Sequence, residues 1–535
     1  MKKPFFFFFF FLIVLFLGQF LFVSPVGEFS LNDDWVHTST IMEWVDTGEF
    51  RLLPWAGPTF YTPIVYGAGL TSSFGFSFTI LRLSTLFLTL ILLLGTYLFL
   101  HTLTKRPQLS FLATLTLWLS PLLYSLSFTF MTDVPALFFL LFGIISYWYA
   151  FKTQRPFLFF IGALFSIVGF YTRQTVILLF MSAGLVWFFT HIRNRTFFSK
   201  QSIQQGIFGF VVPGVLLILS YLYLYIFALL PANAGAAHII HPMSALFSHI
   251  LHWGWFYLLL IGGSLIPLTF GWIGAQYKYL FRPLFWCITI PITFLSFVWN
   301  YVWPEWSTHV GNIFTIYGLG PSEVIQGLPT PFISSSMQII LVLFCAFSLS
   351  LLIFFFLTHR KHVTHPQSLF LILFSFVSFG VFVSVYGFDR YVLPLILTML
   401  ILYIYLLSLS FERISFFITM PLIILIAFFS LSQTDHYLSW NQARTQLATY
   451  PPESTAIESI DGGYEWNGVH AYWSAYESTL TAGTNTSPWW IRNMFFNNTE
   501  EYIVSWTPIP GYRILQKESL STWHPHDTLF LLHRE

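Results

Sequence analysis

Long apolar runs separated by short polar breaks alternate along the first 430 positions of the chain. A helix needs about 20 predominantly apolar residues to cross a bilayer. On that spacing the pattern predicts thirteen spans, at 5–24, 75–101, 109–127, 132–151, 156–172, 174–190, 207–230, 253–276, 283–302, 336–357, 367–387, 391–410 and 414–430. Three of the polar segments are long: 25–74, 231–252 and 303–335. Within the first, Trp35, Thr38, Ile41, Met42 and Val45 recur at helical spacing over 32–46, which predicts an amphipathic helix lying in the membrane interface. Pro54, Pro58 and Pro63 then break the chain. After Ser430 no apolar run is long enough to span. Residues 431–535 hold eleven of the 22 acidic residues and carry turn signals at Gly462-Gly463 and Pro508–Gly511. The expected fold class is an all-α polytopic membrane protein, with residues 1–430 as the transmembrane part and 431–535 as a small mixed α/β domain. No internal repeat is visible.

Composition agrees with this pattern. The chain has 535 residues, 56% hydrophobic and 8% charged, whereas a soluble domain carries roughly 25% charged residues. A net charge of +1 gives no footprint for nucleic acid. The two cysteines, Cys287 and Cys345, lie inside apolar runs, so they predict neither a disulfide nor a metal site. Met1-Lys2-Lys3-Pro4 precedes a phenylalanine run with no small-residue cleavage site after it, which predicts an uncleaved first span with a cytoplasmic N-terminus.

The loops sort by charge. Of eighteen Lys and Arg in the first 430 residues, fourteen fall in alternate loops: Lys2/Lys3, Lys105/Arg106, Lys152/Arg155, Arg193/Arg195/Lys200, Lys278/Arg282, Arg360/Lys361 and Arg413. These are the cytoplasmic loops by the positive-inside rule. Arg51, Arg82, Arg173 and Arg390 fall on the opposite side, and so do ten of the eleven acidic residues of the stretch. By span parity the C-terminal domain is extracytoplasmic. Carboxylates and a few arginines are therefore concentrated at the outer face.

The adjacent carboxylates of Asn32-Asp33-Asp34-Trp35-Val36-His37 cannot be core filler, because an unpaired buried carboxylate is too costly. They read as a helix cap, or as a general base or metal ligand that activates an acceptor hydroxyl or amine. Asp133 is the one acidic residue between Glu49 and Glu305, at the outer end of the fourth span in Met131-Thr132-Asp133-Val134-Pro135. Such a position is functional by default, and capping is compatible with it. Arg82, Arg173 and Arg390 are placed against the charge bias. Arginine binds phosphate bidentately and stays charged, so they are candidates to hold a lipid phosphate, or else ion-pair with Asp389 or Asp133. His238, His241, His249 and His252 have a spacing that suits a metal or an amphipathic interfacial loop. Trp303-Pro304-Glu305-Trp306, His309 and Glu323 suit an aromatic belt or sugar stacking. No P-loop, no GxGxxG unit and no cytoplasmic nucleotide domain occurs. An outward-facing enzyme would then need a substrate already activated in the membrane.

Together these residues resemble the GT-C superfamily of polyprenyl-phosphate-sugar glycosyltransferases, which includes protein O-mannosyltransferases and lipid A aminoarabinose transferases. The resemblance covers the layout of the whole chain. Locally, Asp33-Asp34-Trp35-Val36-His37 resembles the family's acidic pair with a nearby His, and Phe60-Tyr61-Thr62-Pro63 its aromatic-Pro stretch. Leu81-Arg82-Leu83-Ser84 resembles the Arg that opens the second span. Met131–Pro135 resembles the second acidic motif, and Asp389-Arg390-Tyr391-Val392-Leu393-Pro394 a recurring Arg-Tyr-x-x-Pro stretch. One departure is Thr62, where aminoarabinose transferases carry a Lys.

The resemblance implies an inverting membrane glycosyltransferase of the outer face of a bacterial inner membrane, with a polyprenyl-phosphate sugar as donor and a lipid, protein or glycan as acceptor. In that reading Asp33 or Asp34 is the base and Asp133 positions the acceptor or a cation. Arg82, with Arg173 or Arg390, stabilises the departing phosphate. His37, Tyr61, Glu305 and Trp306 are further substrate-binding candidates. No cofactor is expected, with a divalent cation left open. The alternatives are a polytopic transporter or lipid flippase, or a scaffold without activity.

Overall fold

The computed structural model describes all residues except 1, 58, 228, 231–242, 303–312, 363–364, 385–386, 411, 478–486 and 521–526. The chain is a polytopic helical membrane protein with a small α/β domain at its C-terminal end. Among the described residues ten helices are each long and apolar enough to cross a membrane: Pro4–Leu21, Phe78–Thr104, Asp133–Thr153, Gln174–Arg193, Lys200–Ile226, Pro283–Val302, Ser335–Thr358, Pro366–Ser384, Asp389–Leu409 and Phe416–Ala448. Two bent pairs, Pro107–Trp118 with Pro121–Ser127 and Phe247–Ser264 with Ile266–Ala275, turn by 70° and 60°. Both bends fall just before a proline, which removes a helical N–H and disfavours helix at the preceding residue. The short apolar helix Pro156–Phe170 completes the set. Each of the thirteen expected spans thus has a counterpart, but two are bent pairs and one is too short to cross as a straight helix.

Helix starts follow local chemistry. The Ser77 side chain accepts from Ile80 N–H and so caps Phe78–Thr104; Ser334 does the same for Met337. Proline sits in the first turn of Pro107–Trp118, Pro121–Ser127 and Pro156–Phe170, where its missing N–H costs nothing. Burial then ranks the spans. Asp133–Thr153 and Asp389–Leu409 are each 72% buried and are central, whereas Lys200–Ile226 is 11% buried and peripheral. The two central helices are the ones whose N-terminal ends carry Asp133 and Asp389-Arg390.

Between the first two long apolar helices the chain builds two further helices, Asp34–Thr47 and Tyr61–Phe74. The helix expected at 32–46 is present, and protein packs on part of its apolar face. Trp35, Val36 and Ile41 are fully buried. The Trp35 ring packs on Tyr464, Tyr472 and Phe495 of the C-terminal region. The side chain of Ile41 lies over Gly67 in Tyr61–Phe74. Its apolar face was read as lipid-seeking, and protein covers it at these positions. Pro63, expected as a break, stands in the first turn of a helix, where proline is tolerated.

The last apolar helix does not end at 430: Phe416–Ala448 runs on as one helix. It packs against a four-stranded sheet of β3 (Ile460–Asp461), β4 (Tyr502–Ser505), β5 (Tyr512–Ser519) and β6 (Thr528–Arg534), in the order β3-β4-β6-β5. β3 is parallel to β4 and the other pairs are antiparallel. The third long polar segment contributes a small hairpin of β1 (Phe314–Thr315) and β2 (Gly318–Leu319) and joins the sheet through a bridge from Gln326 to Ser505.

Candidate active site

Asn32 holds a left-handed backbone, φ 56°, a conformation Asn tolerates better than most residues. The neighbouring carboxylates that follow are sent in different directions. Asp34 turns inward and is 1% exposed. Its Oδ1 accepts from Leu31 N–H at 2.7 Å and its Oδ2 from Phe130 N–H at 3.5 Å. Burial pushes its carboxyl up to about 8, against the Leu31 N–H and the charge of Arg82, so Asp34 is largely protonated near neutral pH. Asp33 instead keeps about a third of its side-chain surface, 32%. Its Oδ2 accepts from Arg390 Nη2 at 2.8 Å and its Oδ1 from the Tyr464 hydroxyl at 2.8 Å.

Arg390 is 5% exposed, with its guanidinium 4.9 Å from the Phe388 ring centroid. One nitrogen is used on Asp33. Nε and Nη1 are buried and have no hydrogen-bond partner among the described residues. A buried guanidinium with two free N–H directions is costly unless something fills it. The adjacent Asp389 does not pair with it. Its carboxylate accepts from the backbone N–H groups of Ile313, Phe314 and Arg390, at 2.6–3.0 Å, and so ties the third long polar segment to this span.

Asp133 forms an ion pair with Arg173, whose guanidinium lies 4.5 Å over the Tyr391 ring. Asp133 Oδ2 has no partner among the described residues. This pair lines a small pocket of about 10 Å³ whose walls are otherwise mainly apolar: Ala136, Leu137, Leu140, Val176, Phe374 and Leu393. His37 is 2% exposed and lies within electrostatic range of Asp33, Arg390 and Asp133. Burial lowers its imidazole to about 4, so it is neutral at ordinary pH, and its Nδ1 has no partner among the described residues. Asp33, His37, Asp133, Arg173 and Arg390 therefore form one cluster.

The other expected residues stand elsewhere. Arg82 is 1% exposed and faces the first long polar segment. Its Nη1 donates to Pro25 O at 2.6 Å and Gly27 O at 3.3 Å, and its Nη2 to Phe29 O at 3.0 Å. Those donors are committed to loop carbonyls, while its Nε has no partner among the described residues. The Tyr61 hydroxyl donates to Leu229 O at 2.8 Å, with its ring on Phe50 and Tyr171, away from the carboxylates. His252 is buried between Trp253 and Trp299. Glu305, Trp306, His309, His238 and His241 lie outside the described residues. Among the described residues no three His, Cys, Asp or Glu side chains converge as metal ligands would.

Sequence reasoning missed the C-terminal contribution. Tyr464 and Glu465 follow the Gly462-Gly463 turn, where Gly463 has φ 87°. Glu465 accepts from Arg444 and from Asn32 N–H at 3.2 Å, and Arg444 also donates to Ser30 O at 3.2 Å. This buried pair clamps residues 30–32, and with them the approach to Asp33. The turn was legible in the sequence; its partner, some 430 residues earlier, was not.

No family model matches the chain, and no curated protein does. A solved structure of ArnT from Cupriavidus metallidurans bound to undecaprenyl phosphate is similar over 84% of this chain and 82% of that one, at 13% identity and a TM-score of 0.36. A TM-score of that size is too low to argue from, so the chemistry must come from the residues themselves.

Proposed function

We propose that the protein is an integral-membrane glycosyltransferase that moves a sugar from a polyprenyl-phosphate donor to an acceptor at the outer face, with inversion at the anomeric carbon. The observation that carries this reading is Arg390: buried, bound through one nitrogen to a carboxylate that is about one third exposed, with Nε and Nη1 unpartnered among the described residues. A phosphate oxygen satisfies such a buried guanidinium N–H with a charge-assisted hydrogen bond. Apolar side chains, Ala136, Leu137, Leu140, Val176, Phe374 and Leu393, lie beside Asp133 and Arg173, where the first units of a prenyl tail would pack.

In this mechanism Asp33 removes the proton from the acceptor group as its oxygen or nitrogen attacks the anomeric carbon. The new bond forms on the face opposite the leaving group. The bond from the anomeric carbon to the phosphate oxygen breaks, and its electron pair goes to the lipid phosphate. Negative charge grows there, where Arg390 and Arg173 are fixed in a water-poor site, so they lower the barrier most in the transition state. Asp133 orients Arg173, Asp34 anchors the loop, and Arg82 holds the same loop by its carbonyls. His37, neutral and with a free ring nitrogen, is placed to hydrogen-bond a sugar hydroxyl.

Arg390→Gln tests the role. Removal of one fixed donor to developing charge costs about 10²–10³-fold in turnover, and the half-saturating donor concentration should rise with it. A variant that folds and transfers sugar at the wild-type rate would remove Arg390 from the mechanism.

A further inference from the structure

Trp55 sits in the first long polar segment with 47% of its surface exposed. Its position is fixed from behind. The indole Nε1 donates to the Tyr464 hydroxyl at 3.1 Å, and that hydroxyl donates to Asp33 Oδ1 at 2.8 Å. Two hydrogen bonds therefore separate the edge of an exposed aromatic ring from the proposed base. The Trp489 ring lies 5.2 Å from that of Tyr464, and its indole N–H is buried without a partner among the described residues. Nearby, the Arg51 guanidinium lies 4.4 Å over the Trp473 ring and Tyr476 is 47% exposed. These rings stand on the C-terminal domain and the first loop. The small apolar pocket lies among the spans, at Asp133 and Arg173.

We propose that Trp55, with Tyr464 and Trp489, forms an acceptor subsite, and that the acceptor is a saccharide whose pyranose ring lies on the Trp55 indole with a hydroxyl turned to Asp33. The inference rests on the transferase reading and adds the chemical class of the acceptor. A pyranose suits this surface because its C–H face packs on an indole while its equatorial hydroxyls, at the ring edge, are free to reach Asp33, two hydrogen bonds away from the Trp55 Nε1. The ring is held before the ligand arrives, so little ordering cost falls on binding. Donor and acceptor approach from different sides, the donor from between the spans and the acceptor from the C-terminal domain.

The test uses the full-length protein in nanodiscs with radiolabelled polyprenyl-phosphate sugars. Acceptors are soluble oligosaccharides of hexose and N-acetylhexosamine units, a Ser/Thr-containing peptide, and a hydroxylated diacyl lipid. The expected result is label in oligosaccharide. Trp55→Ala should raise the half-saturating oligosaccharide concentration on the order of 10-fold, far more than it raises the donor's. Trp55→Phe should recover part of the loss by restoring a ring. Tyr450→Ala, an exposed aromatic away from the site, should behave as wild type. Label found only in peptide or lipid, or an unchanged oligosaccharide half-saturation in Trp55→Ala, overturns the assignment. Donor hydrolysis without transfer to saccharide overturns the acceptor class alone. No donor consumption overturns the transferase reading and this inference with it.

Discussion

Asp33 and Asp34 are neighbours in sequence with opposite surroundings. Asp34 is enclosed and held by backbone N–H groups; Asp33 is shared by Arg390 and Tyr464 and keeps a path to solvent. From the sequence either could be the base, because a pair of carboxylates before a helix says nothing about which one turns inward. The answer depends on Tyr464 and Arg390, both hundreds of residues away. Asp34 carries a separate prediction. Its carboxyl is raised from 3.8 to about 8, so the folded state holds a proton that the unfolded chain releases. Its contribution to stability is complete below pH 3.8 and is lost as the pH rises toward 8. Thermal melts from pH 5 to 9 should fall more steeply for wild type than for Asp34→Asn, and the variant should be the more stable of the two at pH 9. Parallel curves would show that Asp34 does not titrate in that range.

Elements show where hydrophobic periodicity informs and where it stops. The helix expected over 32–46 is observed as Asp34–Thr47, because its spacing of apolar positions is a local property. What that face packs on is not local. Trp35 reads the same whether lipid or Tyr464, Tyr472 and Phe495 cover it. The close fit of Trp35 to Gly468, where a Cβ would run into the indole, shows protein-on-protein packing. Trp35→Ala should therefore destabilise the C-terminal domain by about 3–5 kcal/mol, the usual cost of deleting a buried aromatic. Hydrogen exchange localised to 460–505 would detect it, and unchanged protection there would contradict that packing. Similarly, loss of apolar character after 430 marked a real boundary in composition, yet the helix Phe416–Ala448 crosses it without a break. Proline misled at Pro63 because a breaker within a helix is an acceptable residue in its first turn.

Across the whole molecule, charge sorting was the most legible feature. Asp33, Asp133, Arg173 and Arg390, predicted on one side, meet in one cluster, and the spans that carry Asp133 and Arg390 are the most enclosed. The exception among the acidic residues, Glu412, is absorbed on the other side, where Tyr279, Trp272 and His359 surround its carboxylate and Arg106 donates to its carbonyl at 2.5 Å. For Arg82, placement against the positive-inside bias signals a bound partner without saying whether that partner is a ligand or the chain itself, and its Nε has no partner among the described residues. Its Nη1 and Nη2 donate to loop carbonyls.

The most direct test is transfer or hydrolysis of a panel of radiolabelled polyprenyl-phosphate sugars by the purified protein beside Asp33→Asn. Loss of a general base costs about 10²–10⁴-fold. The account predicts that one donor is consumed by wild type, that turnover falls by that factor in the variant, and that the variant still binds the donor through Arg390. Consumption at an equal rate by both proteins, or of no donor by either, would contradict it.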